Sequence, residues 1–178
     1  MDDYMRLGQL FQEIKAMYIN DRKREWEGSP FVDLIPTFGI KDIGNIGEQL
    51  FIRYATELGY EITPHVANND YYDAIVYGKK LEIKFATLDK TGVFTANQVR
   101  DQPYDYLVLF ALTPSEALYW VFPKAVAWSL GSWQHGSAEE KDTKMLSVRK
   151  TTRKNKYYPY FVGNSLDQVI ERIQNAAI

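Results

Sequence analysis

The stretch 73–85, Asp-Ala-Ile-Val-Tyr-Gly-Lys-Lys-Leu-Glu-Ile-Lys-Phe, constrains the fold more than any other. Gly78-Lys79 is a turn signal between two short runs that alternate apolar and polar residues, which predicts a β-hairpin. A two-residue loop at 78–79 pairs Tyr77 with Lys80, Ile75 with Glu82 and Asp73 with Lys84. Strand side chains alternate faces, and directly paired residues share one. Ala74, Val76, Leu81, Ile83 and Phe85 therefore form a core-facing set, and Asp73, Glu82 and Lys84 gather on the other face. A loop two residues longer preserves this result; a loop one residue longer breaks it.

Two carboxylates and an amine on one sheet face can do specific work. Asp73 and Glu82 offer hard oxygen ligands suited to Mg²⁺, which keeps some of its waters and accepts phosphate oxygens. Lys84 can orient a water or stabilise charge on a phosphate in the transition state. The plainer alternative is a surface hairpin with a cross-strand Asp73–Lys84 ion pair, which is worth little. Glu-x-Lys alone is common; an aspartate in matching parity at the mouth of the preceding strand is not.

Asp73, eight intervening residues, then Glu82-Ile83-Lys84 resembles the PD-(D/E)XK (restriction-endonuclease-like) nuclease motif, with Tyr72 where the motif has its proline. The wider likeness covers about residues 44–122 in element order. The resemblance implies that Asp73 and Glu82 are metal ligands, with the Ile83 carbonyl as a third, and that Lys84 is the catalytic lysine. It also implies Mg²⁺ as cofactor, with Mn²⁺ as its usual substitute.

Composition narrows the alternatives. The chain has 178 residues, 46% of them hydrophobic, enough for one globular domain with a real core. It has no cysteine, which removes disulfides, thiolate–zinc sites and thiol nucleophiles. Two histidines, His65 and His135, argue against zinc hydrolases and histidine-dependent nuclease motifs. No apolar stretch is long enough to span a membrane and the start lacks a signal-peptide pattern, so a cytoplasmic protein is expected. A net charge of −2 does not advertise nucleic-acid binding, so a DNA site must come from local asymmetry.

Along the chain, apolar residues at helical spacing predict a helix over 3–20, followed by a solvated charged run that includes Arg22 and Arg24. Residues 28–43, with Gly28, Pro30, Pro36 and Gly39, read as an irregular connector. An amphipathic helix is expected over 44–58, stopped by Gly59. Glu48 has two readings there. It is N3 of a near capping box headed by Asn45, or, as the resemblance implies, a further metal ligand or a residue supporting the ligands. A strand is expected over 60–66, with His65 structural and Asn68-Asn69-Asp70 a turn.

Thr95–Arg100 reads as a short helix. The resemblance makes Gln98 a support for the lysine and gives Arg100 a phosphate to hold. Tyr106 to Leu112 is apolar almost throughout, a central strand buried on both faces. A strand over 117–122, a short helix over 123–130, a strand over 157–162 and a final helix capped by Ser165 complete the pattern. Between them, Lys144, Arg149, Lys150, Arg153, Lys154 and Lys156 form a basic run suited to DNA phosphates, though a solvated loop is the plain alternative.

The expectation is an α/β fold with a central mixed sheet flanked by helices, in a single nuclease domain of 1–178. Its parts are an N-terminal helix and connector (1–43), a catalytic core (44–130), and a basic segment with a C-terminal helix (131–178). The activity implied is Mg²⁺-dependent cleavage of double-stranded DNA, most like a small type II restriction endonuclease. Cutting both strands needs two active sites, most simply a homodimer. A structure-specific repair nuclease, or a DNA-binding module without catalysis, can share such a fold.

Overall fold

In a computed structural model, residues 24–34, 40–65, 71–134, 143–149, 155–176 and the isolated Leu10 are described. Numbered in chain order, the elements are α1 (Ile40–Glu57), β1 (Ile62–Pro64), β2 (Ala74–Val76), β3 (Lys79–Thr87), β4 (Val93–Arg100), β5 (Tyr106–Leu112), β6 (Ala117–Pro123), α2 (Lys124–Leu130), β7 (Ser132–Trp133), β8 (Thr143–Arg149), β9 (Phe161–Gly163) and α3 (Leu166–Asn175).

The apolar run 106–112 becomes β5, a central strand of a six-stranded mixed sheet ordered β1-β2-β3-β5-β6-β9. β3 and β5 run parallel, and the other neighbours are antiparallel. Val108, Phe110 and Leu112 face α1 and α3, while Leu107, Leu109 and Ala111 face Phe94, Ala96, Val99, Leu146 and Val148 of a second sheet, β4-β8-β7. A strand with both faces covered needs no alternation, and this one has none. The mixed α/β fold with a central mixed sheet is as expected, except that helices cover one face and the small sheet with α2 covers the other.

Five local expectations are corrected. The hairpin turn is Tyr77-Gly78: β2 and β3 pair Val76 with Lys79, Ile75 with Lys80 and Ala74 with Leu81. Both turn residues have positive φ, 47° and 75°. A 78–79 loop would put Lys79 in the second left-handed position, where glycine is preferred. The register moves by two residues, so the parity and the grouping of side chains survive. Second, α1 begins at Ile40, not at Gly44, and absorbs the end of the connector. Its C-terminus is as read: Gly59 has φ 84° and Tyr60 N–H donates to the Ala55 carbonyl.

Third, 95–100 belongs to strand β4. Its buried residues Ala96 and Val99 stand three apart because the register shifts between them, which imitates helical spacing. Fourth, 157–162 is a 3₁₀ turn, Tyr158–Tyr160, followed by β9 from Phe161. Fifth, part of the basic segment is strand β8, in which Leu146 and Val148 are buried. α3 starts at a full capping box made by Ser165 and Gln168. The expected helix over 3–20, the turn at 68–70, and Arg22, His135, Lys150, Arg153 and Lys154 lie outside the described residues.

Candidate active site

Where β2 leaves β3, the ladder changes partners. Asp73 N–H donates to the Leu81 carbonyl at 2.8 Å, and Ile83 N–H then donates to Asp73 Oδ2 at 2.6 Å. A side-chain carboxylate thus takes the place of the next backbone acceptor, which fixes Asp73 beside Glu82. Glu82 is only 7% exposed, because the second sheet covers the face it occupies. Lys84 Nζ lies 2.6 Å from Glu82 Oε1. The three residues grouped from the sequence are therefore neighbours, but Lys84 pairs with Glu82 and not across the hairpin with Asp73.

Glu48 comes from α1. Since Ile40–Gly44 are already helical, Asn45 cannot be an N-cap and the capping reading of Glu48 fails. Glu48 sits about two turns into the helix. Its height over β3 is set by Gly47, where a Cβ would fall inside the Phe85 side chain, far below the 3.4 Å of ordinary contact. The missing side chain lets α1 ride directly on the strand that carries Glu82 and Lys84.

The acids disturb one another. Burial, then the charges of Glu82 and Glu48, push Asp73 up to about 7, against the Ile83 hydrogen bond and the Lys84 charge, which pull it down. Burial, then Glu82, also raise Glu48, while Lys84 lowers it. Like charges held together in a partly dry site favour protonation of one of them, or a cation among them. Among the described residues, no three His, Asp or Glu side chains stand close enough together to hold a metal ion. The hairpin brings two carboxylates together, Asp73 and Glu82, and the Glu48 charge is felt by Asp73. That fits Mg²⁺, which uses one or two carboxylates and otherwise water or neutral oxygen.

Tyr104 completes the surroundings and was not foreseen as part of them. It is 3% exposed, its hydroxyl has no partner among the described residues, and burial followed by the Glu82 charge raises its pKa. Only its place just before β5, which pairs with β3, could have signalled this.

Gln98 is carried by strand β4 and not by a helix. It is exposed at the β4 bulge with φ 55°, and its N–H donates to Gln134 Oε1 at 3.3 Å. The basic residues divide. Lys144 Nζ donates to the Trp128 carbonyl at 2.9 Å and sits 4.4 and 4.8 Å from the rings of Trp128 and Trp133. Lys156 Nζ reaches the Leu130 carbonyl at 3.4 Å and the Tyr157 ring. Both ammonium groups thus sit at the C-terminal end of α2, where a positive charge is favoured. Arg100 is half-buried opposite Thr143, and Arg149 is exposed at the end of β8. A large, mainly apolar groove of about 930 Å³ is lined by Phe31, Leu50, Tyr54, Phe110 and Tyr119 and by none of Glu48, Asp73 and Glu82.

The fold is thus a mixed α/β sheet with acids gathered where two of its strands part. The chain superposes on a bacterial homing endonuclease, I-Ssp6803I, with a TM-score of 0.53 and 19% identity, over 79% of this chain and 100% of that one. MepB aligns with a TM-score of 0.41 and 14% identity over 63% of this chain and 94% of its own. No protein-family model matches the sequence, and no curated protein matches it. Among the described residues no helix is long and apolar enough to cross a membrane.

Proposed function

We propose that the protein is a metal-dependent endodeoxyribonuclease of the PD-(D/E)XK kind, residues 1–178 acting as one domain. The observation that carries this reading is the convergence of Asp73, Glu82 and Lys84 where β2 leaves β3, with Asp73 held near neutrality by burial among acids. Asp73 and Glu82 would hold Mg²⁺ or Mn²⁺, with the Ile83 carbonyl as a neutral third donor. When bound, the ion supplies positive charge to a phosphodiester oxygen and makes a water more acidic.

The chain's own residues do the rest. Lys84, paired with Glu82, would turn its ammonium to the attacking water or the scissile phosphate, where it offsets developing charge. Glu48, free of any capping duty, adds a second sphere of negative charge that orders water and favours the cation. Burial by the second sheet keeps bulk water from screening these charges.

The finer reading is a sequence-specific enzyme of the type II restriction kind, cutting double-stranded DNA as a cytoplasmic homodimer. Likeness to a protein named as a homing endonuclease supports sequence-directed cutting over branched-DNA repair. The test is digestion of mixed plasmid and phage DNA with Mg²⁺, beside an EDTA control. Discrete fragments that EDTA abolishes are the expected result. A smear would remove the sequence-specific reading, and DNA left intact with Mg²⁺ or Mn²⁺ would remove the nuclease reading.

A further inference from the structure

β4 departs from a regular strand at one place. Ala96 pairs with Leu146 and Val99 with Lys144, and the register shifts between them. Ala96 and Val99 are buried, whereas Asn97 and Gln98 are both exposed. Consecutive residues of an ordinary strand cannot share a face, so the bulge is what turns two carboxamides outward together. Gln98 holds φ 55°, a left-handed conformation that glycine adopts more easily, yet the position carries a long amide.

The bulge is braced from the neighbouring strands. Gln134, just after β7, accepts from Gln98 N–H at 3.3 Å and from Thr143 Oγ1 at 3.4 Å, and its Nε2 donates to Asn97 Oδ1 at 3.5 Å. Thr143 is itself buried. The conformation that presents the two amides is therefore set before any partner arrives.

The chain leads from this feature directly to the acidic end of the main sheet. From Arg100 the chain runs through 101–105 and is fastened to β3: Asp105 N–H donates to the Lys80 carbonyl, and Lys80 N–H donates to Asp105 Oδ2, both at 2.8 Å. Lys80 is two residues from Glu82. Tyr104, in the same connection, feels the Glu82 charge.

We propose that the β4 bulge reads bases: Asn97 and Gln98 enter the major groove of duplex DNA and bond the edge of adenine beside the bond to be cut. This rests on the nuclease reading above and deepens it by naming the substrate feature recognised. A β-ribbon fits the major groove, and Asn and Gln side chains match the N6 donor and N7 acceptor of adenine. Phosphate contacts carry no such information, so Arg149 and Arg100 position the duplex while the amides discriminate.

The test uses the full chain and sequences the ends of fragments cut from phage DNA by the wild type, Asn97→Ala and Gln98→Gly. Gln98→Gly suits the left-handed backbone, so it keeps the bulge and removes only the amide. The wild-type ends should share an A·T pair near the cut. Each variant should relax that preference by about 5- to 150-fold while keeping the salt dependence of binding, since no charge is lost, and Gln98→Gly should also keep the wild-type melting temperature.

An unchanged preference in both variants, with folding intact, overturns the proposal; so does a wild type that cuts without regard to A·T pairs. If the wild type cuts nothing, the nuclease reading fails on its own. Selection of bound duplexes from a randomised pool then decides this proposal: adenine enrichment that Gln98→Gly abolishes upholds it, and enrichment that the variant keeps overturns it.

Discussion

Gly47→Ala should destabilise the protein and misplace Glu48, although alanine is the better helix former. Replacing glycine inside a helix gains about 0.5–1 kcal/mol from backbone entropy. At position 47 the new methyl would overlap Cβ and Cγ of Phe85, and Cβ is fixed by the backbone, so turning the ring away would not relieve the clash. Restoring an ordinary contact of 3.4 Å requires α1 to retreat from β3, and overpacking of this sort costs about 1–3 kcal/mol. Gly44, in the same helix, has nothing within 4 Å of an added Cβ, so Gly44→Ala collects the helical gain without the clash. Both variants share the helical gain, so they should differ by the overpacking cost alone, about 1–3 kcal/mol, with Gly44→Ala the more stable. In urea that is a separation of about 0.5–1.5 M in midpoint, taking a slope near 2 kcal/mol per M. Denaturation followed by circular dichroism measures it. Equal midpoints would refute the argument that Gly47 sets the height of α1.

In Asp73→Asn the pH dependence of stability should change. An acid whose folded pKa is raised, here to about 7, contributes stability in full below its ordinary value near 3.8. That contribution is lost as pH rises through 7. Metal-free wild type should therefore lose stability relative to Asp73→Asn between pH 4 and 8 in parallel urea titrations; a constant difference would contradict this. Lys144→Met removes a bond to the Trp128 carbonyl and two cation–ring contacts. It should cost about 1–2 kcal/mol and shift tryptophan emission in a urea titration. Arg149→Ala should leave stability unchanged but lower the slope of log affinity against log salt by about 1, read by filter binding to plasmid fragments.

Local chemistry made part of this molecule legible and tertiary context hid the rest. The hairpin parity survived a shifted register because any even shift keeps Asp73, Glu82 and Lys84 grouped, and 106–112 had too few polar residues to face solvent. The turn itself was misplaced by one residue, since Tyr77 in a left-handed conformation is not a pattern that composition announces. The start of α1 was hidden by the breakers Pro36 and Gly39 just before it and by Gly44 inside it, which read locally as the end of a connector. The β4 bulge disguised a strand as a helical turn, and with it the place of Gln98. That Lys144 and Lys156 are already engaged by α2 depends on contacts 16 and 26 residues away in sequence. No periodicity could report them.

Strand cleavage and DNA binding measured together on Asp73→Asn, Lys84→Ala and wild type test the central claim most directly. Supercoiled plasmid with Mg²⁺ gives nicking and linearisation rates, and a gel shift in EDTA gives affinity. The account predicts near wild-type binding by both variants, with cleavage slower by at least about a hundredfold, as expected when a charge-stabilising group is removed. Cutting by both variants at the wild-type rate would place the chemistry elsewhere in the molecule and contradict the account.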